Sequence, residues 1–151
     1  MRPEDEARMV IQAAHRNDLP AVRRLLAIQH LPLDGIDEHV ETMVVAKKGS
    51  EVVGSAAVEL HTDGALLRSV VVDPLVQGQG LGLRLSEAAL SIAKDRGRQT
   101  AFLLTTTAEK FFPKLGFEPI VRADVPPSVQ ASIEFQSACP ASAVVMRKRL
   151  V

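Results

Sequence analysis

A run of β-branched residues that leads into a glycine-rich turn constrains the fold of this chain more than any other feature. Residues 67–82 read Leu-Arg-Ser-Val-Val-Val-Asp-Pro-Leu-Val-Gln-Gly-Gln-Gly-Leu-Gly. The central run favours a buried strand built from Val70, Val71 and Val72. Asp73 and Pro74 end this strand, because proline has no N–H to donate to a sheet ladder. Apolar residues then recur at helical spacing and predict a helix through Ala93, with one face formed by Leu81, Leu85, Ala88, Ala89 and Ile92.

The turn between this strand and this helix is suited to binding an anion. The first backbone N–H groups of a helix have no partner within the helix, and they lie at the positive end of the helix dipole. Glycine lets a phosphate approach these groups without a Cβ in the way. The turn consists of Gln77, Gly78, Gln79, Gly80, Leu81 and Gly82. Its spacing matches neither the lysine-containing P-loop nor the dinucleotide Gly-x-Gly-x-x-Gly pattern, so the residues alone also allow a tight turn that binds nothing.

The whole stretch resembles motif A of the GCN5-related N-acetyltransferase (GNAT) family. In that family a Gln/Arg-x-x-Gly-x-Gly/Ala loop holds the pyrophosphate of acetyl-coenzyme A (acetyl-CoA), and residues 77–82 match it position by position. A second segment, Phe-Phe-x-x-Leu-Gly-Phe at 111–117, resembles the family's motif B. The resemblance implies one domain over residues 1–151, acetyl-CoA as co-substrate, and an acetyl carbonyl polarised by backbone groups of residues 70–72.

The remaining pattern predicts an α/β (α+β) fold with a GNAT-like mixed, mostly antiparallel sheet. Six to seven strands are expected, with flanking helices and a central parallel pair. One strand of this pair precedes the long helix in the chain and the other follows it. Three antiparallel strands lead into the glycine turn. The expected strands cover residues 9–14, 41–47, 52–60, 65–72, 100–104, 117–121 and 141–150. Further helices are predicted after residues 17–18, over 106–115 and near 124–132, the second with a capping box from Thr106 to Glu109.

Composition excludes several classes of function. The 151 residues carry 18 basic and 18 acidic side chains without a basic block, so no nucleic-acid partner is predicted. No apolar run reaches the roughly 18 residues of a membrane helix. A single cysteine, Cys139, rules out an internal disulfide and favours a cytoplasmic protein. No metal site is predicted. Family habit implies a homodimer through the last strand.

The acid and the base of an acetyl transfer are harder to assign. Many family members place a tyrosine beside the leaving thiol, but this chain contains none, and Phe111 or Phe112 falls in that region. Thr105, Thr106 and Thr107 carry hydroxyls at the end of the preceding strand, and Thr106 is the predicted donor to the sulfur. A strand end with a helix cap is the alternative interpretation. The candidate base is Glu59, which interrupts an apolar strand end. The alternative is that Glu59 is an exposed edge residue beside a turn. His61 is a second candidate base, because histidine titrates near neutrality, and a solvated turn residue is the favoured alternative.

Three residues are candidates for binding the acceptor. Arg68 could bind a substrate carboxylate, or form a structural ion pair with Glu59 on the neighbouring strand. Four segments carry a further resemblance: Leu-Arg-Ser-Val-Val-Val, Leu-Leu-Thr-Thr-Thr-Ala-Glu-x-Phe-Phe, Val-Pro-Pro-Ser-Val and Cys-Pro-Ala-Ser-Ala-Val-Val-Met. From about Val44 to the C-terminus, the chain resembles acetyltransferases encoded in arsenic-resistance operons and, more weakly, the acetyltransferase domain of N-acetylglutamate synthases. In those synthases, the arginine and the serine of an Arg-x-Ser strand hold the amino-acid carboxylate. In this chain, Ser142 fits the serine, while Pro140 stands at the position of the arginine. Cys139 is either a soft ligand for trivalent arsenic or a small hydrophobic residue.

These features predict an acetyl-CoA-dependent N-acetyltransferase for a small amine. An acidic amino acid or a glutamate-like compound, including an organoarsenical or phosphinate analogue, is the expected acceptor, with direct transfer in a ternary complex. The alternative is a protein of the same fold that binds acetyl-CoA as a sensor or a non-catalytic partner.

Overall fold

The computed structural model describes residues 9–106, 108, 110–132 and 143–150. Within them, the strands are β1 (Val10–Ala13), β2 (Met43–Lys48), β3 (Glu51–His61), β4 (Gly64–Val72), β5 (Thr100–Thr105), β6 (Glu118–Ile120) and β7 (Val144–Arg149). The α-helices are α1 (Leu19–Ile28), α2 (Leu81–Asp95) and α3 (Pro127–Gln130). Short 3-10 helices cover Arg16–Asp18, Ile36–Thr42, Pro74–Val76, Phe112–Leu115 and Arg122–Asp124.

The strands form one mixed sheet in the order β1-β2-β3-β4-β5-β7-β6. The β4–β5 pair is parallel, because α2 carries the chain back across the sheet, and the other neighbouring strands are antiparallel. The predicted fold class and the central parallel pair are therefore confirmed. The last strand, β7, pairs with β5 on one side and with β6 on the other. It is not an edge of the sheet, so the predicted homodimer could not form by strand addition to β7.

Each face of the sheet is covered by a helix, and on one face this is the long helix whose apolar residues the sequence predicts. The α2 helix buries Leu81, Leu85 and Ala89 against one face. On the opposite face, α1 buries its own apolar residues together with those of the 3-10 helix Ile36–Thr42. Alternation along β2 divides its side chains between the two sides, with Val44 in the first cluster and Val45 in the second. A smaller third cluster lies under α3. The sheet is thus the shared middle layer.

Several predicted boundaries differ from the structure for local reasons. Residues 41 and 42 end the 3-10 helix Ile36–Thr42 and are not part of β2. Between β5 and β6, the described residues of the predicted helix over 106–115 include a turn at 110–111 and the 3-10 helix Phe112–Leu115. Here the N–H of Ala108 donates to the hydroxyl of Thr105 at 2.9 Å. The predicted capping box lies partly outside the described residues, because it includes Glu109.

No helix in the described part of the chain combines the length and the apolar character needed to cross a membrane.

The close packing of α2 on β3 can be tested at Gly54. A Cβ at this position would lie 2.8 Å from Leu85 Cδ1 and 2.9 Å from the carbonyl oxygen of Val71. We expect Gly54→Ala to lower the free energy of unfolding by about 1–3 kcal/mol, because the helix or the strand must shift. Urea denaturation would measure the change.

Gly49 offers a matched control in the β2–β3 turn. Its φ is 63°, and a Cβ there would meet nothing within 4 Å. Asparagine tolerates this conformation, so Gly49→Asn should change the free energy of unfolding by less than about 0.5 kcal/mol. Equal losses in the two variants would contradict the described contact between α2 and β3.

Candidate active site

The parallel strands β4 and β5 separate at the centre of the sheet. Their pairing covers Ala65 with Ala101 and Leu66 with Phe102, although β4 continues to Val72. At the end of β4, the N–H of Asp73 points toward β3 and donates to the carbonyl of Val53 at 2.8 Å. Because peptide groups alternate in direction along a strand, Val70 and Val72 direct their N–H and C=O groups away from β3, toward the opening.

A bulge in β4 coincides with this separation. Ser55 of β3 pairs with Val71, but Ala57 pairs with Arg68, so β4 contains one extra residue between these pairs. Ser69 lies in the bulge with a φ of 56°, in the left-handed region. The hydroxyl of Ser55 donates to the carbonyl of Ser69 at 2.7 Å. A bulge bends a strand and increases its twist, which turns the end of β4 away from β5.

A cleft of about 880 Å³ lies at the opening between the strands. Its walls are the end of β4, the glycine turn with the start of α2, and a third set of residues that comprises Ala108, Lys110, Phe111, Phe112 and Lys114. The structure brings eight of the nine predicted cofactor residues to this cleft: Val70, Val71, Val72, Gln77, Gly78, Gly80, Leu81 and Gly82. The ninth, Gln79, is exposed and lies outside its lining. The role of these residues in binding a cofactor stays a prediction.

The glycine turn presents an unshielded helix start to the cleft. Gly78 and Gly80 have φ values of 85° and 75°, and a Cβ on either would meet nothing within 4 Å. The first turn of α2 has neither a side-chain cap nor an acidic residue. Gly82 serves a different purpose, because a Cβ there would lie 3.2 Å from the ring of Phe111 on the opposite wall. The positive end of the α2 dipole therefore faces the cleft without a neutralising group among the described residues.

Polar groups that the sequence analysis did not single out complete the cleft. Lys110 and Lys114 are the charged residues of its described lining, and both are positive. Gln29, at the end of α1, donates to the carbonyl of Val72 at 2.7 Å, and Gln77 donates to the same oxygen at 3.1 Å. A polar residue that continues the apolar face of a helix, as Gln29 does, is the signal that could have identified it.

Glu59 is the centre of a buried polar cluster on the α1 face of the sheet. Its side chain accepts a hydrogen bond from Ser132 Oγ at 2.7 Å, and His61 Nε2 lies 2.9 Å from the same oxygen, Oε1. The other oxygen, Oε2, lies 2.7 Å from Arg68 Nη1 and 3.5 Å from His39 Nε2. Glu59 is 3% exposed, so the alternative of an exposed edge residue is wrong. His61 ends β3 and contacts Glu59, and 20% of its side chain is exposed, so it is only partly solvated.

Arg68 forms the ion pair with Glu59 that the sequence allowed. Its guanidinium also donates to the carbonyl of Asp34 and, at 3.2 Å, to the hydroxyl of Ser69. Arg68 is 3% exposed, so a substrate carboxylate could reach it only by replacing one of these acceptors. Its predicted role in binding a substrate stays a prediction.

The surroundings of Glu59 set its protonation state. Burial raises the pKa of this carboxyl, but the hydrogen bonds from His61, Ser132 and Arg68 outweigh burial and lower the pKa to about 2. Burial, with a smaller contribution from Arg68, lowers the pKa of His39, although Glu59 opposes this effect. A carboxylate of such low pKa is a weak base at neutral pH, which counts against the role of general base predicted for Glu59.

Some of the other predicted site residues lie within the described part of the chain and some lie outside it. Thr106 is exposed at the bend that follows β5, whereas Thr105 is buried and its hydroxyl accepts from Ala108. Phe111 and Phe112 line the cleft, in the region where the sequence lacks a tyrosine. Cys139 and Ser142 lie outside the described residues.

Comparison with known proteins identifies the family. Residues 39–119, slightly more than half of the chain, match the family model of the acetyltransferase (GNAT) domain. The chain belongs to the GNAT family of acetyltransferases. It is an acyltransferase of this family, whose co-substrate is acetyl-CoA.

Relatives of this GNAT acetyltransferase include enzymes named for amino acids. It is 33% identical to the amino-acid acetyltransferase of Mycobacterium tuberculosis over 129 residues, which cover 79% of this chain and 73% of that protein. It is 32% identical to the [citrate [pro-3S]-lyase] ligase of Klebsiella pneumoniae, over 68% of this chain but 28% of the ligase.

Solved structures support the same fold. N-acetylglutamate synthase from Neisseria gonorrhoeae, complexed with coenzyme A and N-acetyl-glutamate, superposes with a TM-score of 0.82 at 22% identity. That match covers 97% of this GNAT chain but 36% of the synthase chain, and at this identity it shows the fold alone. A Mycobacterium tuberculosis protein in complex with CoA gives a TM-score of 0.81 at 25% identity, over 94% of this chain and 99% of that one.

The low pKa of Glu59 predicts how stability depends on pH. Its value of about 2 lies below the ordinary 4.5, so the charged form favours the folded state. This contribution is complete above about pH 4.5 and is lost as the pH falls toward 2. It corresponds to about 2–3 kcal/mol in the free energy of unfolding, which urea denaturation between pH 6 and pH 2 would measure.

Two variants isolate the contribution of Glu59. In Glu59→Gln, the loss of stability between pH 4.5 and pH 2 should be smaller than in the parent protein, because the titrating group is absent. Glu51→Gln, which changes an exposed carboxylate at the start of β3, should keep the parent's pH dependence. The same slope in the parent and in Glu59→Gln would refute the assignment.

Proposed function

We propose that this acetyltransferase transfers the acetyl group of acetyl-CoA to the α-amino group of a free amino acid, and that glutamate or a glutamate-like acid is the acceptor. The observation that carries the proposal is the 33% identity to an amino-acid acetyltransferase along 73% of that protein's length. The match extends over most of both chains.

The charges of the cleft support a ligand that carries phosphate groups. In the proposed complex, the pyrophosphate of acetyl-CoA lies against the glycine turn, where backbone N–H groups at the start of α2 can donate to it. Lys110 and Lys114, on the opposite wall, supply positive charge for the phosphates. The opening between β4 and β5 receives the acetyl end.

The reaction needs a polarised carbonyl. The acceptor nitrogen attacks the thioester carbon, the C–S bond breaks, and the thiolate leaves with the electron pair. Negative charge develops on the carbonyl oxygen during the attack, and the N–H groups of Val70 and Val72 are directed to the opening where that oxygen would lie. Donors that are already in place for a developing charge lower the barrier most.

The acceptor must lose a proton and the thiolate must gain one. We assign proton acceptance to His39, whose Nε2 lies 3.5 Å from Glu59 Oε2: burial lowers the pKa of His39 and keeps it neutral near pH 7, and the charged Glu59 stabilises its protonated form. Glu59 is then the charge partner in the catalytic group. Thr106 is the proposed hydrogen-bond donor to the departing sulfur, because its side chain is exposed at the end of β5.

Recognition of an acidic acceptor rests on Arg68 and on the segment that contains Cys139 and Ser142. Arg68 is the buried cation beside the bulge. A carboxylate that replaces the Asp34 carbonyl on this guanidinium would keep the ion pair with Glu59 intact. Phosphinate and organoarsenical analogues of glutamate retain an oxyanion, so they belong to the same class of acceptors.

An acceptor panel tests the proposal. Release of coenzyme A and the mass of the acetylated product would be measured with glutamate, aspartate, glutamine, glutamate-like phosphinates and organoarsenicals, and with lysine and a simple alkylamine. We expect kcat/KM for the best acidic acceptor to exceed that for lysine by at least about tenfold, because a buried arginine favours a carboxylate. Preference for lysine would contradict the acidic acceptor, and no turnover of any α-amino acid would contradict the proposed function.

Binding of acetyl-CoA can be tested separately at Gly80. Gly80→Glu places a negative charge at the start of α2, and we expect the Kd for CoA in isothermal titration to rise by at least about tenfold. Gly80→Asn is the matched control, because asparagine tolerates the φ of 75° and adds no charge. If both variants bound CoA as the parent does, the glycine turn would not be the phosphate site.

A further inference from the structure

The hydroxyl of Ser55 is buried in the sheet away from the cleft. Ser55 is fully buried in the middle of β3, and its Oγ lies 2.7 Å from the carbonyl oxygen of Ser69. A buried hydroxyl without a partner is unfavourable, so Ser55 contributes to the fold only while the Ser69 carbonyl points at it.

Ser69 has a backbone conformation that a serine rarely adopts without support. Its φ is 56°, and in the described residues His30 is the other non-glycine residue with a positive φ. His30 lies at the end of α1, where such a conformation is common, whereas Ser69 lies inside a strand. A strained residue inside a strand persists when its surroundings fix it. Here Ser55 binds its carbonyl, and Arg68 Nε binds its hydroxyl at 3.2 Å.

The bulge decides which face each valine occupies. With the extra residue in place, Val71 packs in the α1 cluster, while Val70 and Val72 pack toward α2. A shift of one residue in β4 would exchange these faces and turn the N–H group of Val71, in place of those of Val70 and Val72, toward the cleft. The orientation of the donors therefore depends on the bulge at Ser69.

We infer that Ser55 is a positioning residue for acetyl transfer: its hydroxyl holds the left-handed peptide of Ser69 and so keeps the N–H groups of Val70 and Val72 directed at the thioester. This inference rests on the proposed function. It assigns a task to a side chain that lies outside the described lining of the cleft.

A double-mutant cycle with Ser69→Gly tests this role. In the parent background, Ser55→Ala should lower kcat on the order of ten- to a hundredfold with little change in the Kd for CoA, because the glycine turn is untouched. Glycine adopts a positive φ without strain, so the bulge no longer needs the Ser55 hydroxyl in a Ser69→Gly background. There, Ser55→Ala should lower kcat by no more than about twofold.

Ser86 provides the matched control. It is fully buried in α2, and among the described residues its hydroxyl has no hydrogen-bond partner. Ser86→Ala removes the same atom from an equally buried position and should leave kcat unchanged. Ser55→Cys, which keeps a weak donor of similar size, is the second variant if Ser55→Ala does not fold, and its kcat should lie between those of the parent and the alanine variant.

The effect of Ser55 on the bulge can also be measured without an acceptor substrate. Amide hydrogen exchange and NMR shifts of residues 68–72 should differ between Ser55→Ala and the parent. They should be the same in the double variant as in Ser69→Gly alone. An equal effect of Ser55→Ala in both backgrounds would overturn the inference, as would an unchanged kcat and unchanged amides in the single variant. A failed acceptor panel with the expected amide changes would leave the bulge assignment intact and reject the proposed function alone.

Discussion

The separation of strand β4 from strand β5 is the constraint on which the rest of the structure depends. A parallel pair in the middle of a sheet normally satisfies its peptide groups across the whole ladder. Here the ladder between these strands covers Ala65 and Leu66 of β4 alone, and the extra residue at Ser69 bends the strand away. The peptide groups beyond the bulge then face a cleft, where a ligand can accept and donate the hydrogen bonds that β5 would otherwise supply. The same departure from a regular sheet opens the site and provides its donors.

The buried cluster around Glu59 fixes the other side of this region. It joins β3 and β4 through Arg68, the 3-10 helix Ile36–Thr42 through His39, and the residues after α3 through Ser132. Burying a charge is unfavourable unless it is paired and hydrogen-bonded, and Glu59 meets that condition with several donors. The arrangement also explains why the Asp34 loop lies over β4, since the carbonyl of Asp34 accepts from Arg68. Ser69 contacts Arg68 as well, so the cluster and the bulge share a residue.

Local patterns predicted the strands, the long helix and the glycine turn, because each depends on residues close in sequence. The tertiary position of Glu59 could not be predicted in this way, since its partners His39 and Ser132 come from elements without a periodic pattern. The insertion of β7 between β5 and β6 depends on pairing over long distances for the same reason. Even the glycine turn, a single pattern in the sequence, has two physical causes. Gly78 and Gly80 require a positive φ, whereas Gly82 allows Phe111 to approach the start of α2.

The two walls of the cleft differ in charge, and the hydrogen bond made by Gln77 is part of this difference. Its amide donates to the Val72 carbonyl and so closes the end of β4, which leaves the glycine turn with neutral donors and the helix dipole. Among the described lining residues, positive charge comes from Lys110 and Lys114, on a wall about thirty residues later in the chain. The cleft is therefore lined by oriented dipoles on one side and by lysine side chains on the other. On the lysine wall, Phe111 lies against Gly82, so an aromatic ring that offers no proton borders the start of α2.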